Sequence, residues 1–188
     1  MILYIHGFNS GKGAKSQKLE ALFDEVICPE LTNNPKKDLE MLKSIVRENN
    51  ITHVVGTSLG GFYGMILATE FPYLQFHLIN PSFEPWWTLN KFVNQEITNY
   101  ATGKKETLMP YFVTELREIR PDIFKKQIID RITFYVGTED EVLNHSIWEN
   151  EIIKNGFAVK IHKTKQDHRH ADISQVLANV KEYVANFL

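Results

Sequence analysis

Cysteine is almost absent from this chain, with Cys28 as the single one among 188 residues. That scarcity excludes a disulfide framework and a metal cluster built from several cysteines, and it suits the reducing cytoplasm. The sequence also lacks an excess of charge of either sign, since its formal net charge is -2 and basic and acidic residues are interspersed. Composition therefore gives no sign of a nucleic-acid or membrane partner.

Long apolar runs and a secretory leader are missing as well. No stretch approaches the roughly 18 consecutive apolar residues that a membrane-spanning helix needs. The N-terminus has no basic region before its apolar residues, and Gly7 ends that apolar run almost at once. With 43% hydrophobic residues, the chain can bury one sizeable core, so we expect a single cytoplasmic domain over residues 1–188.

The chain opens with MILYIHGFNSGKGAKS, an apolar segment followed by a loop rich in glycine and lysine. A phosphate-binding P-loop has four residues between its glycines, whereas three residues separate Gly7 from Gly11, and Gly13 follows Lys12. The dinucleotide-binding fingerprint also fails, because Ser16 stands where its third glycine belongs. The loop must therefore have another role.

Short apolar segments rich in β-branched and aromatic residues alternate with helical patterns along the chain. The apolar segments predict strands at residues 2–6, 25–28, 53–57, 75–80, 132–137 and 158–163. Asn34-Pro35 predicts the start of a helix, whose apolar face carries Leu39, Leu42 and Val46. A last helix is predicted after Asp172 from an apolar stripe, made of Ile173, Val176, Leu177, Val180 and Val184.

This alternation predicts a three-layer α/β fold, with helices on both faces of a mostly parallel sheet of about six strands. Ligands of such sheets bind outside the carboxyl ends of the strands. The first candidates for functional residues are therefore the loops just after the strands, at residues 6–12, 57–61, 81–87, 138–142 and 164–170.

The second of these loops belongs to the segment THVVGTSLGGFYGMILA, which reads as a strand, a G-x-S-x-G motif and a helix in succession. Gly56 and Gly60 let strand and helix pass closely, so Ser58 projects from a strained turn as a nucleophile. The amide of Leu59, at the helix N-terminus, then points at any developing oxyanion. The alternative is a Gly-rich turn in which Ser58 only caps the helix.

A serine nucleophile needs an acid and a base, which follow it in that order in hydrolases built on this elbow. The segment FYVGTEDEV places Asp140 just past a strand, three residues after Gly137. We predict Asp140 as the acid, with Glu139 and Glu141 as its rivals in the same loop.

The segment KTKQDHRHADI follows the last predicted strand and supplies the base. We predict His168 in that role, with His170 as the second choice. Other histidines lie inside or before regular elements and are expected to be structural; they stand at positions 53, 77, 145 and 162.

Together, HGFNS, GTSLGG, LINPS, VGTEDEVL and DHRH resemble the α/β-hydrolase superfamily over nearly the whole chain. Within it, the chain is similar to the small bacterial YqiA-like esterases. The resemblance implies a hydrolase with the triad Ser58, Asp140 and His168 that acts on small-molecule carboxylic esters, with thioesters as a related class, and that needs no cofactor. It also implies that the backbone amide of Phe8 is the second oxyanion donor, which would explain the opening loop.

Residues 82–130 form a long segment at the point where the resemblance implies a lid, and we expect a small helical lid there. Trp86 and Trp87 are predicted to line the acyl pocket. Other aromatic and apolar residues of the segment are further candidates for its wall, namely Phe92, Met109, Tyr111 and Phe112. The alternative is that these side chains pack the segment onto the domain.

Two other functions remain open. The stretch His168-Arg169-His170-Ala171-Asp172 resembles the H-x-H-x-D zinc motif of metallo-β-lactamase-like hydrolases. That motif normally continues with a histidine, whereas Ile173 follows here, so we expect no metal. A binding protein without catalysis is the other alternative, because a fold does not determine its function.

Overall fold

The structure is a computed structural model that describes residues 1–185. Its main sheet has six strands in the order β2-β1-β3-β4-β7-β8, and every pair of neighbours is parallel. These strands are β1 (Ile2–Ile5), β2 (Val26–Ile27), β3 (His53–Thr57), β4 (Gln75–Ile79), β7 (Ile132–Gly137) and β8 (Lys160–Thr164). A separate antiparallel hairpin consists of β5 (Glu96–Thr98) and β6 (Lys105–Thr107).

Helices connect the strands and cover both faces of the sheet. They are α1 (Ala14–Glu20), α2 (Pro35–Glu48), α3 (Leu59–Glu70), α4 (Pro85–Thr88), α5 (Tyr111–Glu118), α6 (Lys126–Ile129), α7 (Ser146–Lys154) and α8 (Ser174–Ala185), with a 3-10 helix at Asn90–Phe92. Helix α2 begins as the sequence predicts, because the side chain of Asn34 accepts a hydrogen bond from the amide of Lys37 and Pro35 occupies the first turn.

Side chains that alternate along each strand build two cores. Leu3 and Ile5 of β1 point to the larger core, which also receives α2, α3, α5 and α7. Ile2 and Tyr4 point to the smaller core, which is closed by α1 and α8. The three-layer α/β prediction is therefore confirmed, and only the ends of the strands differ by one or two residues. The stripe of the last helix packs in the smaller core as expected, apart from Val184, whose side chain lies outside the described residues.

The segment from residue 82 to 130 carries α4, the 3-10 helix, the hairpin, α5 and α6. The hairpin was not predicted, because its strands have three residues each and mostly exposed side chains. Phe8 anchors the segment to the loop after β1, with ring centroids 5.8 Å from Phe92 and 5.6 Å from Phe112. The amide of Tyr100 also donates to the carbonyl of Asn9 at 2.8 Å. The segment is thus fixed beside the carboxyl end of β1.

Within residues 1–185, no helix combines the length and the apolar character that a membrane crossing requires.

Candidate active site

The turn between β3 and α3 holds Ser58 in an unusual backbone conformation, with φ 53° and ψ -113°. A side chain on Gly56 would place its Cβ 2.5 Å from the carbonyl oxygen of Gly60, and one on Gly60 would clash with the carbonyl of Ile5. Because only glycine fits at both positions, strand and helix pass closely and the serine is left at the tip of the turn. The G-x-S-x-G spacing thus produces the elbow geometry.

The loop after β8 brings His168 to this serine. Its Nε2 lies 3.1 Å from Ser58 Oγ, although the two residues are 110 positions apart in sequence. The imidazole is 19% exposed, which leaves one edge open to solvent. His170 does not reach the serine in the same way: it is buried, has φ 46°, and its Nδ1 has no hydrogen-bond partner among the described residues.

Asp140, rather than either neighbouring glutamate, contacts the other nitrogen of His168. The Nδ1 atom lies 3.0 Å from Oδ1 and 2.9 Å from Oδ2 of the carboxylate. The side chain of Asp140 is 1% exposed, whereas Glu139 and Glu141 are both exposed. Glu141 contacts the same histidine differently, since its Oε2 accepts the backbone amide of His168 at 3.1 Å.

Several donors keep the buried carboxylate ionised. Burial alone would raise the pKa of Asp140, but hydrogen bonds from His145, His168 and the amides of Leu143 and Val142 outweigh it and hold that pKa well below its usual range. Both amides donate to Oδ1 at 2.9 Å. The acid therefore remains an acceptor for the imidazole at any pH near neutrality.

The opening loop lies directly beside the nucleophile. A Cβ on Gly7 would sit 3.4 Å from the Cβ of Ser58. His6 is buried and holds the loop, since its Nε2 accepts the amide of Leu31 at 3.3 Å and its Nδ1 can then donate to the carbonyl of Gly7 at 2.8 Å.

Phe8 follows Gly7 in the loop beside Ser58, and Leu59 follows Ser58 directly in the chain. Among the hydrogen bonds of residues 1–185, neither of their backbone amides donates to a protein acceptor. Leu59 is the first residue of α3, where amides point away from the helix and favour negative charge. The use of these two amides as oxyanion donors remains a prediction.

Asn80, which the sequence analysis did not select, ties three parts of the site together. It follows β4 with φ 40° and is fully buried. Its Nδ2 donates to the carbonyls of Asp167 and His168 at 3.1 and 3.2 Å, and its Oδ1 accepts the amide of Gly137 at 2.7 Å. A polar residue after a strand, next to Pro81, was the available signal.

His145 was expected to be structural, yet its Nε2 lies 2.8 Å from Asp140 Oδ2. Its Nδ1 accepts the indole N–H of Trp148 at 3.2 Å. The carboxylate therefore contacts two imidazoles. The only signal in the sequence was that His145 stands five residues after Asp140 in the same loop.

A lysine of α1 contacts the loop that carries His168. The Nζ atom of Lys15 donates to the carbonyl of Arg169 at 2.5 Å, and burial lowers the pKa of this lysine. Lys12 instead pairs with Glu20 at 2.8 Å in an exposed position. Of these two lysines, Lys15 helps to hold the loop that carries His168.

The aromatic residues of the 82–130 segment differ widely in exposure. Trp86 is partly buried with its ring centroid 6.2 Å from that of Phe62, whereas Trp87 is 78% exposed. Phe112 is fully buried, and Met109 and Tyr111 are about half exposed. That Trp86 and Trp87 line a pocket remains a prediction. Of the two side chains, that of Trp86 is the more enclosed.

The HRHAD stretch does not gather its side chains around one point. Nδ1 of His168 contacts Asp140 and its Nε2 contacts Ser58. His170 is buried. Within residues 1–185, no group of three or more histidine, cysteine, aspartate or glutamate side chains has the arrangement of a metal site.

The fold and the elbow define the class of protein, and structural comparison agrees: the chain has the α/β-hydrolase fold. It is similar to mouse alpha/beta hydrolase domain-containing protein 10, with a TM-score of 0.67 at 15% identity, covering 100% of this chain and 90% of the other. It is also similar to Est1E from Butyrivibrio proteoclasticus, with a TM-score of 0.64 at 18% identity and coverage of 98% and 86%.

A third similar structure is FphF, a fluorophosphonate-binding serine hydrolase of Staphylococcus aureus, with a TM-score of 0.60 at 13% identity and coverage of 97% and 82%. At the level of sequence, residues 1–185 match a family model. The chain belongs to the uncharacterised protein family UPF0227. A search of curated proteins gave no match.

Proposed function

We propose that this protein is a cytoplasmic serine hydrolase that cleaves small carboxylic esters, including thioesters, through an acyl-enzyme. The observation that carries the proposal is the continuous chain of contacts from Ser58 Oγ through both nitrogens of His168 to the carboxylate of Asp140. A serine, a histidine and a buried acid in this order form a catalytic triad. The proposal needs no metal or cofactor.

In the first step, Ser58 Oγ attacks the carbonyl carbon of the ester while His168 Nε2 accepts the hydroxyl proton. Asp140 accepts a hydrogen bond from the Nδ1–H of His168 throughout, so the imidazole presents Nε2 to the serine and its imidazolium form is stabilised. The C–O bond of an ester, or the C–S bond of a thioester, then breaks, and His168 gives its proton to the departing alkoxide or thiolate.

In the second step, His168 removes a proton from a water molecule, which attacks the acyl carbon and releases the acid. Negative charge on the carbonyl oxygen of both tetrahedral intermediates is stabilised by the amides of Phe8 and Leu59. Removing one such donor typically raises the barrier by about 2.7–4 kcal/mol. A buried carboxylate and a strained backbone at Ser58 both cost folding free energy. Such features cluster at functional sites, which supports a catalytic use of this arrangement.

Turnover of p-nitrophenyl esters from acetate to dodecanoate, with a matched set of acyl thioesters, tests the proposal. Ser58→Ala should lower kcat about 10⁶-fold on the best substrate, which is the loss when a triad serine is removed. The variant should keep its fold, because alanine and serine tolerate the left-handed turn alike. Equal turnover by wild type and Ser58→Ala would refute the assignment of the nucleophile, whereas no turnover of any ester or thioester by wild type would favour a binding protein without catalysis.

A further inference from the structure

The carboxylate of Asp140 is shared by two histidines that come from different parts of the chain. His168 approaches from the loop after β8, with its Nδ1 2.9 Å from Oδ2. His145 approaches from the start of α7, with its Nε2 2.8 Å from that same oxygen. Both histidines compete for one acceptor atom, so the position of either ring affects the hydrogen bond of the other.

Trp148 determines which nitrogen of His145 carries the proton. The indole N–H can only donate, so His145 Nδ1, which lies 3.2 Å from it, must be an unprotonated acceptor. The proton of the neutral ring is then on Nε2 and points at Asp140.

The indole itself is held rigidly. Trp148 stacks on Phe83 with centroids 4.7 Å apart and planes 9° from parallel, and its centroid lies 4.8 Å from that of Phe134. Phe83 follows β4 and Phe134 lies in β7, so two strands of the sheet position the ring. The chain from Trp148 through His145 to Asp140 is buried along its length, since His145 is 7% exposed and the side chain of Asp140 1%.

We infer that His145, fixed by Trp148, is a positioning residue that orients the carboxylate of Asp140 toward His168. The inference rests on the proposed hydrolase function. The hydrogen bond from His145 restrains rotation of the carboxylate about its last bond, which would otherwise let Oδ2 turn away from His168. The amides of Val142 and Leu143 restrain Oδ1, and His145 is the matching restraint on Oδ2.

The tautomer of His145 is testable without any substrate. In ¹⁵N-labelled protein, the imidazole nitrogens report which of them is protonated. Wild type should give a His145 ring with Nε2 protonated and Nδ1 bare, and Trp148→Phe should loosen this preference while keeping the aromatic stacking. A wild-type ring protonated on Nδ1 would overturn the inference, whether or not the protein hydrolyses esters.

Kinetics of matched variants test the effect on the reaction. His145→Phe, which cannot donate, should lower kcat about 10- to 100-fold with KM nearly unchanged, the range expected when a hydrogen bond to a charged group is lost. His145→Gln, whose amide can still donate to Asp140, should recover most of that loss. Equal kcat for wild type and His145→Phe would overturn the inference, while inactivity of wild type itself would instead remove the proposed function.

Chemical rescue separates hydrogen bonding from packing. A cavity of about 500 Å³ is lined by Asp140 and His145, so added imidazole can enter the space left by His145→Ala. At a pH of about 8.5, where free imidazole is neutral, imidazole should restore kcat and 1-methylimidazole, which has no N–H donor, should not. Equal rescue by both compounds would assign His145 a packing role and overturn the inference.

Two controls accompany the rescue. His162→Ala removes a partly buried histidine of β8 that contacts Asn179 rather than the triad. The kcat of this variant should match that of wild type and should not change when imidazole is added. Ser58→Ala measured with imidazole gives the rate at which imidazole itself attacks the ester, which is subtracted from every value.

Discussion

Two groups of histidines lie along one sheet, and they differ in their partners. His145 and His168 lie at the carboxyl end of the sheet, where both ring nitrogens of each histidine have a hydrogen-bond partner and both rings share the carboxylate of Asp140. His53 and His77 lie beneath α8, stacked with centroids 5.7 Å apart. In this second pair, Nε2 of each ring is buried without a partner among the described residues.

The partners decide what each group can do. Burial lowers the pKa of His53 to about 4 and that of His77 to about 3, because their other nitrogens contact only the hydroxyls of Thr52 and Tyr135. These rings stay neutral and fill space. His168 has an anion on one side and a serine hydroxyl on the other, so it can take up and return a proton. Under the proposed function, burial alone does not make a histidine a base; the combination of a carboxylate on one nitrogen and the serine hydroxyl on the other does.

Substituting one histidine of each group should give the largest difference in kcat between variants. His168→Ala should lower kcat on a p-nitrophenyl ester about 10⁶-fold, as expected when a triad histidine is lost. His77→Gln should change the melting temperature but leave kcat within a few-fold of wild type. His170→Ala should also lose far less than His168→Ala; the reverse ranking would transfer the role of the base to His170.

The carboxylate that distinguishes the two groups gives the next largest effect. Asp140→Asn keeps the shape of the side chain but presents an amide, so the tautomer of His168 is no longer held, and kcat should fall by up to roughly 10⁴-fold. Glu139→Gln should have little effect because its side chain is exposed. Glu141→Gln should also be mild, since glutamine retains an acceptor for the amide of His168. Steady-state kinetics of the three variants decide whether Asp140 is the acid.

An asparagine lies beside each histidine group, namely Asn80 beside the first and Asn179 beside the second. The same substitution at both positions therefore gives a matched test of the contacts that support each group. In Asn80→Asp, one carboxylate oxygen still accepts from Gly137, but the other would oppose the carbonyls of Asp167 and His168. We expect kcat to fall about 10- to 100-fold because the loop of the base moves. Asn179→Asp loses the N–H donor that bonds the hydroxyl of Tyr135 and should lower the melting temperature only. Equal kcat losses in both variants would contradict the assignment of Asn80 as the residue that holds the loop of His168.

The smallest effect concerns the pH dependence of stability. The folded-state pKa values of His53 and His77 lie below the ordinary value of about 6.5. Below that pH, the unfolded chain therefore binds more protons than the folded chain. The free energy of unfolding should therefore fall as the pH decreases from about 6.5 toward 4. The contribution of Asp140, whose pKa is lowered, is lost only below its ordinary value of about 3.9. Denaturant unfolding between pH 7 and 4.5 should show a shallower decline for His77→Gln than for wild type, and parallel curves would count against this account.

The main sheet could be predicted because each strand is a short apolar run followed by a helical pattern, which forces parallel neighbours. The same topology explains why Ser58, Asp140 and His168 meet: each follows a strand, and the carboxyl ends of parallel strands share one edge. The β5-β6 hairpin had no such signal. Asn80 was missed because its contacts join residues of different loops, and a sequence does not show which side chains face one another across loops. His145 was missed because a spacing of five residues within one loop does not show that its ring turns back onto Asp140.

Reaction of the protein with a fluorophosphonate probe, followed by mass spectrometry of the peptides, tests most directly that Ser58 is an activated nucleophile. Such probes form a stable adduct with a serine whose hydroxyl is activated by a neighbouring base. Wild type should carry one adduct, on the peptide that contains Ser58, and Ser58→Ala should carry none. Wild-type protein that remains unlabelled at Ser58, or Ser58→Ala labelled to the same extent as wild type, would contradict the account.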